Sequence, residues 1–513
     1  MSGYLRRLAT TGAAYTAASI VSKLIAVALL PLYTRYLTTG DYGAAEVMFA
    51  AVVSASIVVR LGLIEALLRF YYRSDEDPAR VVSTSFAALF WFATIAALIA
   101  LPFAGPISEA LLTESAPDLA RISIAGLWVL TLNEYLLTLF RLEERARAFF
   151  LTTIINVLAA IALTVILVVG MEEGARGLLI GSYASGAAVV LALIFIHRRR
   201  LSLRFERPLL RRLMRFGLPT MPAELSLYGL NFVDRLIIIH VAGPPQAGLY
   251  SIAVKFAQGV NVLVRGFQLA WPPLAYSIRD DDEARRVYAT VVTLFVAGCA
   301  FVVTGMWLLS RWLVRALAAP EFFGSYKAIG LLTVAATLYA LYMVLVVILG
   351  RTGRTEFNFP ATLAALVANI ALNLALVPPL GIVGAGIALV ASYIVVLSLM
   401  YVFTQRLFPV PYEWGRLLRV LTVSTVLVGL GELLLPTEGF AGFVLRLLFA
   451  LAYPFALLVT GFFTQGERRW LARLRHPSEV LAGLQALRPT AAGIDASIPE
   501  AYEAEQMDED VRL

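Results

Sequence analysis

Charge is scarce in this chain. Of 513 residues only 15% are Asp, Glu, Lys or Arg, while 60% are apolar. A water-soluble protein of this length needs far more polar surface to cover its core, so that class is excluded. Cysteine is nearly absent: Cys299 stands alone inside an apolar run, and no intramolecular disulfide is available. The three histidines, His197, His240 and His476, are far apart and lack cysteine or carboxylate neighbours at ligand spacing, which argues against a metal site. The net charge of +7 comes from arginines in short loops between apolar runs. That arrangement suits orientation in a bilayer and not nucleic-acid binding, where cations gather on one water-exposed face.

What the chain has in abundance is long apolar segments. About fourteen are long enough to cross a hydrocarbon core of about 30 Å. The first six lie near Gly12–Thr34, Tyr42–Leu68, Val82–Ala104, Ile122–Arg141, Phe149–Gly170 and Gly177–His197. Six more follow near Met214–His240, Gly248–Ser277, Val287–Leu309, Tyr326–Leu349, Phe357–Val377 and Ile382–Gln405, then Leu417–Leu435 and Phe440–Phe463. The chain is therefore read as an all-α integral membrane protein. Arg6 and Arg7 precede an apolar stretch of about 23 residues that contains Lys23, which favours a retained first helix over a cleaved signal. Arginines crowd alternate loops by roughly four to one, so the positive-inside rule places both termini in the cytoplasm.

The halves repeat. Gly174 to Tyr183 (GARGLLIGSY) aligns without a gap on Gly384 to Tyr393 (GAGIALVASY). Val58-Val59-Arg60 falls over Leu263-Val264-Arg265 at nearly the same offset, and Gly43 and Gly248 open the second and eighth spans. Six spans per copy is an even number, so the copies are parallel and related about the membrane normal, with substrate between them near the midplane. The domain expectation follows: a first lobe 1–197, a basic linker 198–213, a second lobe 214–405 and two extra spans in 406–465. Residues 466–488 suit interfacial amphipathic helices, and 489–513 a disordered acidic tail.

Charged side chains at mid-span cost about 2.5–3.5 kcal/mol each and face a wet cavity or a partner. Lys23, Arg60, Lys255 and Arg265 lie inside spans of the two copies and form a candidate cationic cavity. Arginine's planar fork suits phosphate oxygens. Internal ion pairs are the alternative: Glu134 shares the depth of Arg60, and Asp234 that of Lys255. Asp234, Arg235 and Glu134 are gate or coupling candidates, Arg235 as a latch at the outer end. Pro219, Pro222, Pro272 and Pro273 are candidate kinks.

Three stretches carry a family resemblance. Tyr33 to Gly43 (YTRYLTTGDYG) resembles the end of the first helix and following loop of polysaccharide and oligosaccharide flippases of the Wzx type. Leu61-Gly62-Leu63 to Arg69-Phe70-Tyr71 resembles their second helix. Phe216 to Pro219, Asn231 to Arg235 and Gly248 to Ser251 are similar to the start of their second lobe. That family belongs to the multidrug/oligosaccharidyl-lipid/polysaccharide (MOP) exporter superfamily, and the likeness covers about the first 410 residues.

The resemblance implies a MATE-like two-lobed fold with two parallel six-helix repeats plus two C-terminal helices. It also implies an undecaprenyl-diphosphate-linked oligosaccharide as cargo, flipped across a bacterial inner membrane for cell-surface polysaccharide. Related lipid II flippases carry a basic residue on the second helix, which Arg60 matches. Lys255 stands where they place an eighth-helix arginine. Membrane lipids, a polysaccharide polymerase and glycosyltransferases are the partners implied, with no cofactor and no catalytic residue. A cation-coupled multidrug exporter of the MATE type and a lipid II flippase remain alternatives. A glycan polymerase is disfavoured because no outer loop exceeds about 20 residues.

Overall fold

Proline and capping side chains set where the helices begin. A computed structural model of the chain describes residues 25, 27–72, 76–465 and 467; side chains at 231, 260–263, 265, 266, 269, 270, 273 and 355 lie outside that description. A short helix α1 (Leu30–Tyr36) leads into α2 (Thr39–Arg60). Thr38 and Asp41 form a capping box there: the Thr38 hydroxyl accepts the Asp41 amide at 3.0 Å, and Asp41 accepts the Thr38 amide at 3.4 Å. The expected second span does not continue unbroken. Leu61 and Gly62 both take left-handed backbone conformations, φ 49° and 70°, and a separate α3 (Leu63–Phe70) follows.

Four helices complete the first repeat: α4 (Pro78–Ala100), α6 (Pro117–Leu142), α7 (Ala146–Val165) and α8 (Gly174–His197), with a short α5 (Ala104–Leu112) between α4 and α6. Pro78 and Pro117 sit in first turns, where the missing amide costs nothing. An amphipathic α9 (Arg207–Gly217) then buries Leu209 and Leu213 against α3. Phe216 packs on Phe70 at 6.2 Å and lies beneath the Arg69 guanidinium at 4.4 Å. Ion pairs Arg212–Glu76 and Arg80–Glu206 fasten the same segment, and Arg80 holds the exposed Glu206 carboxyl below its usual range.

The second repeat comprises α10 (Met221–Ala242), α11 (Pro244–Ser277), α12 (Asp281–Leu317), α13 (Tyr326–Arg351), α14 (Asn358–Leu380) and α15 (Ile382–Leu407). Gly243, at φ 85°, permits the tight α10–α11 turn. Pro219 and Pro222 coincide with a 3-10 stretch, Leu218–Thr220, at the entry to α10. At Pro272 and Pro273 the helix is not broken: α11 continues to Ser277.

Packing repeats as the sequence does. The pair α7–α8 corresponds to α14–α15, α6–α8 to α13–α15, and α2–α6 to α11–α13. Glycines make both hairpins tight. A Cβ on Gly181 would lie 2.3 Å from Thr164 Oγ1, and one on Gly384 would lie 2.2 Å from the Leu376 carbonyl. Two further helices, α16 (Trp414–Leu434) and α17 (Gly439–Leu451), pack on α12. Arg446, wholly buried, joins them by bonding Glu432 at 2.7 Å and the Pro436 carbonyl at 3.0 Å.

The chain divides into two compact units, Met1–Phe455 and Ala456–Leu513. In the second, the last turn of α18 (Tyr453–Val459) precedes Phe462, whose ring meets Phe463 edge-on at 5.0 Å. The expected interfacial helices and acidic tail lie outside the described residues.

Among the described residues eleven helices are long and apolar enough to cross a membrane, or twelve with the bent pair Arg207–Leu230 and Phe232–Ala242. The chain is thus an all-α, multi-pass membrane protein. Outward-facing side chains such as Ile95, Leu98, Leu151, Leu191, Val367 and Leu433 are exposed and apolar, as lipid contact requires. The expected count of fourteen is not reached, since most of the first span lies outside the described residues. Helix α11, at 34 residues, is long enough to cross, but several of its side chains lie outside the described residues and it is not among the eleven.

Candidate functional site

The two repeats meet along α2, which packs against both α10 and α11. The contact is closest where α2 and α11 begin. A Cβ on Gly43 would stand 2.2 Å from the Pro244 carbonyl oxygen, and one on Gly248 would stand 2.0 Å from that of Thr39. Only hydrogen at these two equivalent positions lets the backbones approach so nearly. The other end of α2 has a second such contact, where a Cβ on Gly62 would lie 2.0 Å from the Gly217 carbonyl.

An ion cluster lies just inside each contact. Glu46, seven residues into α2 and nearly buried, accepts from Lys255 Nζ of α11 at 2.7 Å. Arg235 of α10 approaches its other oxygen at 3.9 Å. Lys255 also stands 4.8 Å from the Tyr42 ring centroid, within cation–π range. At the far end, about 21 Å along the helix by its rise per residue, Arg60 is the last residue of α2. Its guanidinium bonds Glu134 of α6 and, at 2.9 Å, Glu224 of α10. Its Nε donates to the Ser56 carbonyl at 3.3 Å. One cation is shared by a carboxylate of its own repeat and one of the other.

Between the clusters, within the second repeat, is a cavity of about 410 Å3. Tyr228, Asp234 and Arg235 of α10 line it with Tyr250 and Gln258 of α11, Tyr339 of α13 and Tyr393 of α15. Asp234 is fully buried. Tyr250 donates to one of its oxygens at 2.7 Å, and Asn373 Nδ2 of α14 to the other at 2.7 Å.

The residues expected at the site divide as follows. Arg60 meets Glu134, the acid the sequence put at its depth, and Glu224 besides. Lys255 does not meet Asp234, its expected alternative partner, but Glu46; Asp234 turns instead to Tyr250 and Asn373. Arg235, the candidate outer latch, faces Glu46. Lys23 and the Arg265 side chain lie outside the described residues. Glu224 and Glu46 were not among the site residues expected from the sequence. Both could have been found by pairing every acid inside a span with every cation at its depth. Among the described residues no group of three or more His, Cys, Asp or Glu side chains could hold a metal.

The profile of a family described as polysaccharide biosynthesis protein matches residues 32–327. No curated protein matches the sequence at a significant level. Solved structures are similar along most of their length. A lipid II flippase MurJ in an inward closed conformation superposes with a TM-score of 0.66 at 14% identity, covering 88% of this chain and 98% of that one. A MATE family multidrug resistance transporter of the MOP superfamily, inward-facing, gives 0.62 at 17% identity, with 76% and 95% covered. A MOP superfamily transporter from Pyrococcus furiosus gives 0.54 at 17%, with 77% and 95% covered. At such identities the likeness establishes a MATE-like fold.

Proposed function

That this chain belongs to the polysaccharide biosynthesis protein family is the premise from which we propose that it is a flippase for lipid-linked oligosaccharide. The cargo in this reading is an undecaprenyl-diphosphate-linked glycan, carried from the cytoplasmic to the outer leaflet of a bacterial inner membrane for surface polysaccharide. Both termini are then cytoplasmic, and glycosyltransferases and a polysaccharide polymerase act before and after it. No bond is made or broken.

The observation that carries the reading is the pair of ion clusters spanning the repeats at opposite ends of α2. Arg60 offers a phosphate a planar, charged fork that Glu224 now occupies. A diphosphate arriving from the cytoplasm competes with Glu224 for that fork, and its success releases α10 from α2. The Glu46–Lys255–Arg235 cluster keeps the outer ends together until the repeats rock. Lys23 and Arg265 supply further positive charge to the same path.

A second reading, a cation-coupled exporter of the MATE type, draws support from Asp234, a buried carboxylate held by Tyr250 and Asn373. In the flippase reading Asp234 is the coupling candidate instead. Replacing Lys23, Arg60 and Arg265 together with alanine discriminates between the two. Surface glycan should disappear in cells while protein level stays normal. Undiminished surface glycan, or uptake of a cationic dye by vesicles of the wild-type chain, would overturn the flippase assignment.

A further inference from the structure

The cavity of the second repeat has the wrong chemistry for a phosphate. Its charges and those of the adjoining ion cluster cancel, with Arg235 and Lys255 set against Glu46 and Asp234. Lys255 is engaged by Glu46 and Asp234 by Tyr250 and Asn373, while Arg235 lies 3.9 Å from Glu46. A polyanion or a cationic solute entering here meets no net charge of opposite sign. What remains is a wall of phenol rings, Tyr228, Tyr250, Tyr339 and Tyr393, with the Gln258 amide among them. The Tyr339 and Tyr393 centroids are 5.8 Å apart with planes inclined at 56°, so the two rings present faces in different directions.

Rings with apolar faces and polar tips suit a ligand whose own surface alternates C–H patches with hydroxyls. The volume, about 410 Å3, falls in the range of small-ligand pockets. The aligned tyrosine of the first repeat has different neighbours. Tyr183, the residue aligned with Tyr393, is pressed against Gly126, where a Cβ would lie 2.5 Å from its ring, and against Phe49 at 5.5 Å.

We propose that this tyrosine-lined cavity of the second repeat receives an uncharged sugar ring of the cargo's headgroup, apart from the site that takes the diphosphate. The inference rests on the flippase reading and adds to it a place where the glycan is recognised. Tyr228 and Tyr339 supply ring faces, and Gln258 supplies the amide for a hydroxyl.

The test uses the full chain in lipid nanodiscs and two probes: undecaprenyl diphosphate alone and undecaprenyl diphosphate bearing one neutral hexose. Native mass spectrometry reads both affinities. The wild type should hold the hexose-bearing lipid about tenfold more tightly, equivalent to 1.4 kcal/mol. Tyr339→Leu, and independently Tyr228→Leu, should abolish that preference and leave binding of the bare lipid unchanged. Tyr339→Phe, which keeps the ring, should retain most of the preference. Equal binding of both probes by the wild type, or a preference that survives both leucine variants, overturns the sugar site alone. Failure of the wild type to bind either lipid overturns the flippase reading with it.

Discussion

Replacing Glu46 with glutamine removes the carboxylate that, among the described residues, pairs with two cations of the second repeat near the start of α2. Glu46 stands 2.7 Å from Lys255 and 3.9 Å from Arg235, with its own side chain 10% exposed and that of Lys255 25%. Taking one partner from a buried ion pair costs about 3–5 kcal/mol. Because Lys255 keeps some access to water, the lower end, about 3 kcal/mol, is the appropriate figure. On the alternating-access reading proposed above, the pair breaks when the repeats part at this end, so the whole cost falls on the state in which they are together. An equilibrium shifted by that amount moves about 150-fold, and a chain closed 99 times in 100 becomes roughly two parts closed to three open.

The assay needs two reporters on opposite repeats. Glu114, in the α5–α6 connection, and Lys327, at the start of α13, are both exposed. Cys299 is the only cysteine, so a Cys299→Ser background leaves labels at Glu114→Cys and Lys327→Cys alone. Electron–electron distance measurement in nanodiscs should show one short population in this background and an added longer one with Glu46→Gln. The charge reversal Glu46→Lys with Lys255→Glu should restore the short population. A distance distribution that ignores Glu46→Gln would refute the latch.

The close glycine contact makes a steric prediction at the same place. Gly43→Ala or Gly248→Ala drives a methyl to within about 2 Å of a carbonyl oxygen, an overpacking cost of about 1–3 kcal/mol against the closed state, and should widen the same label distance. At the other end, Glu224→Gln should strengthen binding of undecaprenyl diphosphate by native mass spectrometry, since it removes the carboxylate competitor of Arg60; weaker binding would contradict the exchange. Arg446→Leu takes from Glu432 one of its two arginine partners, leaving Arg311 at 3.4 Å, and removes the donor to the Pro436 carbonyl. It should cost about 1–3 kcal/mol, read as a lowered unfolding midpoint in detergent.

Much of this protein can be read along the chain. Bilayer thickness acts on local composition, so apolar length alone located the spans now seen as α4, α6, α7, α8 and α12 to α16. The Gly174–Tyr183 and Gly384–Tyr393 match revealed the repeat because each copy must pack its own hairpin with the same small residues. The capping box of Thr38 and Asp41 at the start of α2 is also local, since it is completed within four residues. Depth in the membrane is likewise a matter of counting, which is how Arg60 and Glu134 were brought to one level.

Azimuth was beyond such counting. Consecutive helical residues point about 100° apart, so neighbours in sequence serve different partners. Asp234 faces Tyr250 and Asn373, while Arg235 beside it faces Glu46 on the other repeat. The meeting of Arg60 with Glu224, 164 residues away, depends on how the repeats dock. So does the break at Leu61–Gly62, whose left-handed backbone is held by contact with Gly217. Membrane insertion is decided residue by residue through transfer from water to lipid. Which buried cation meets which acid is decided only when helices distant in sequence are packed, and tertiary structure alone supplies that.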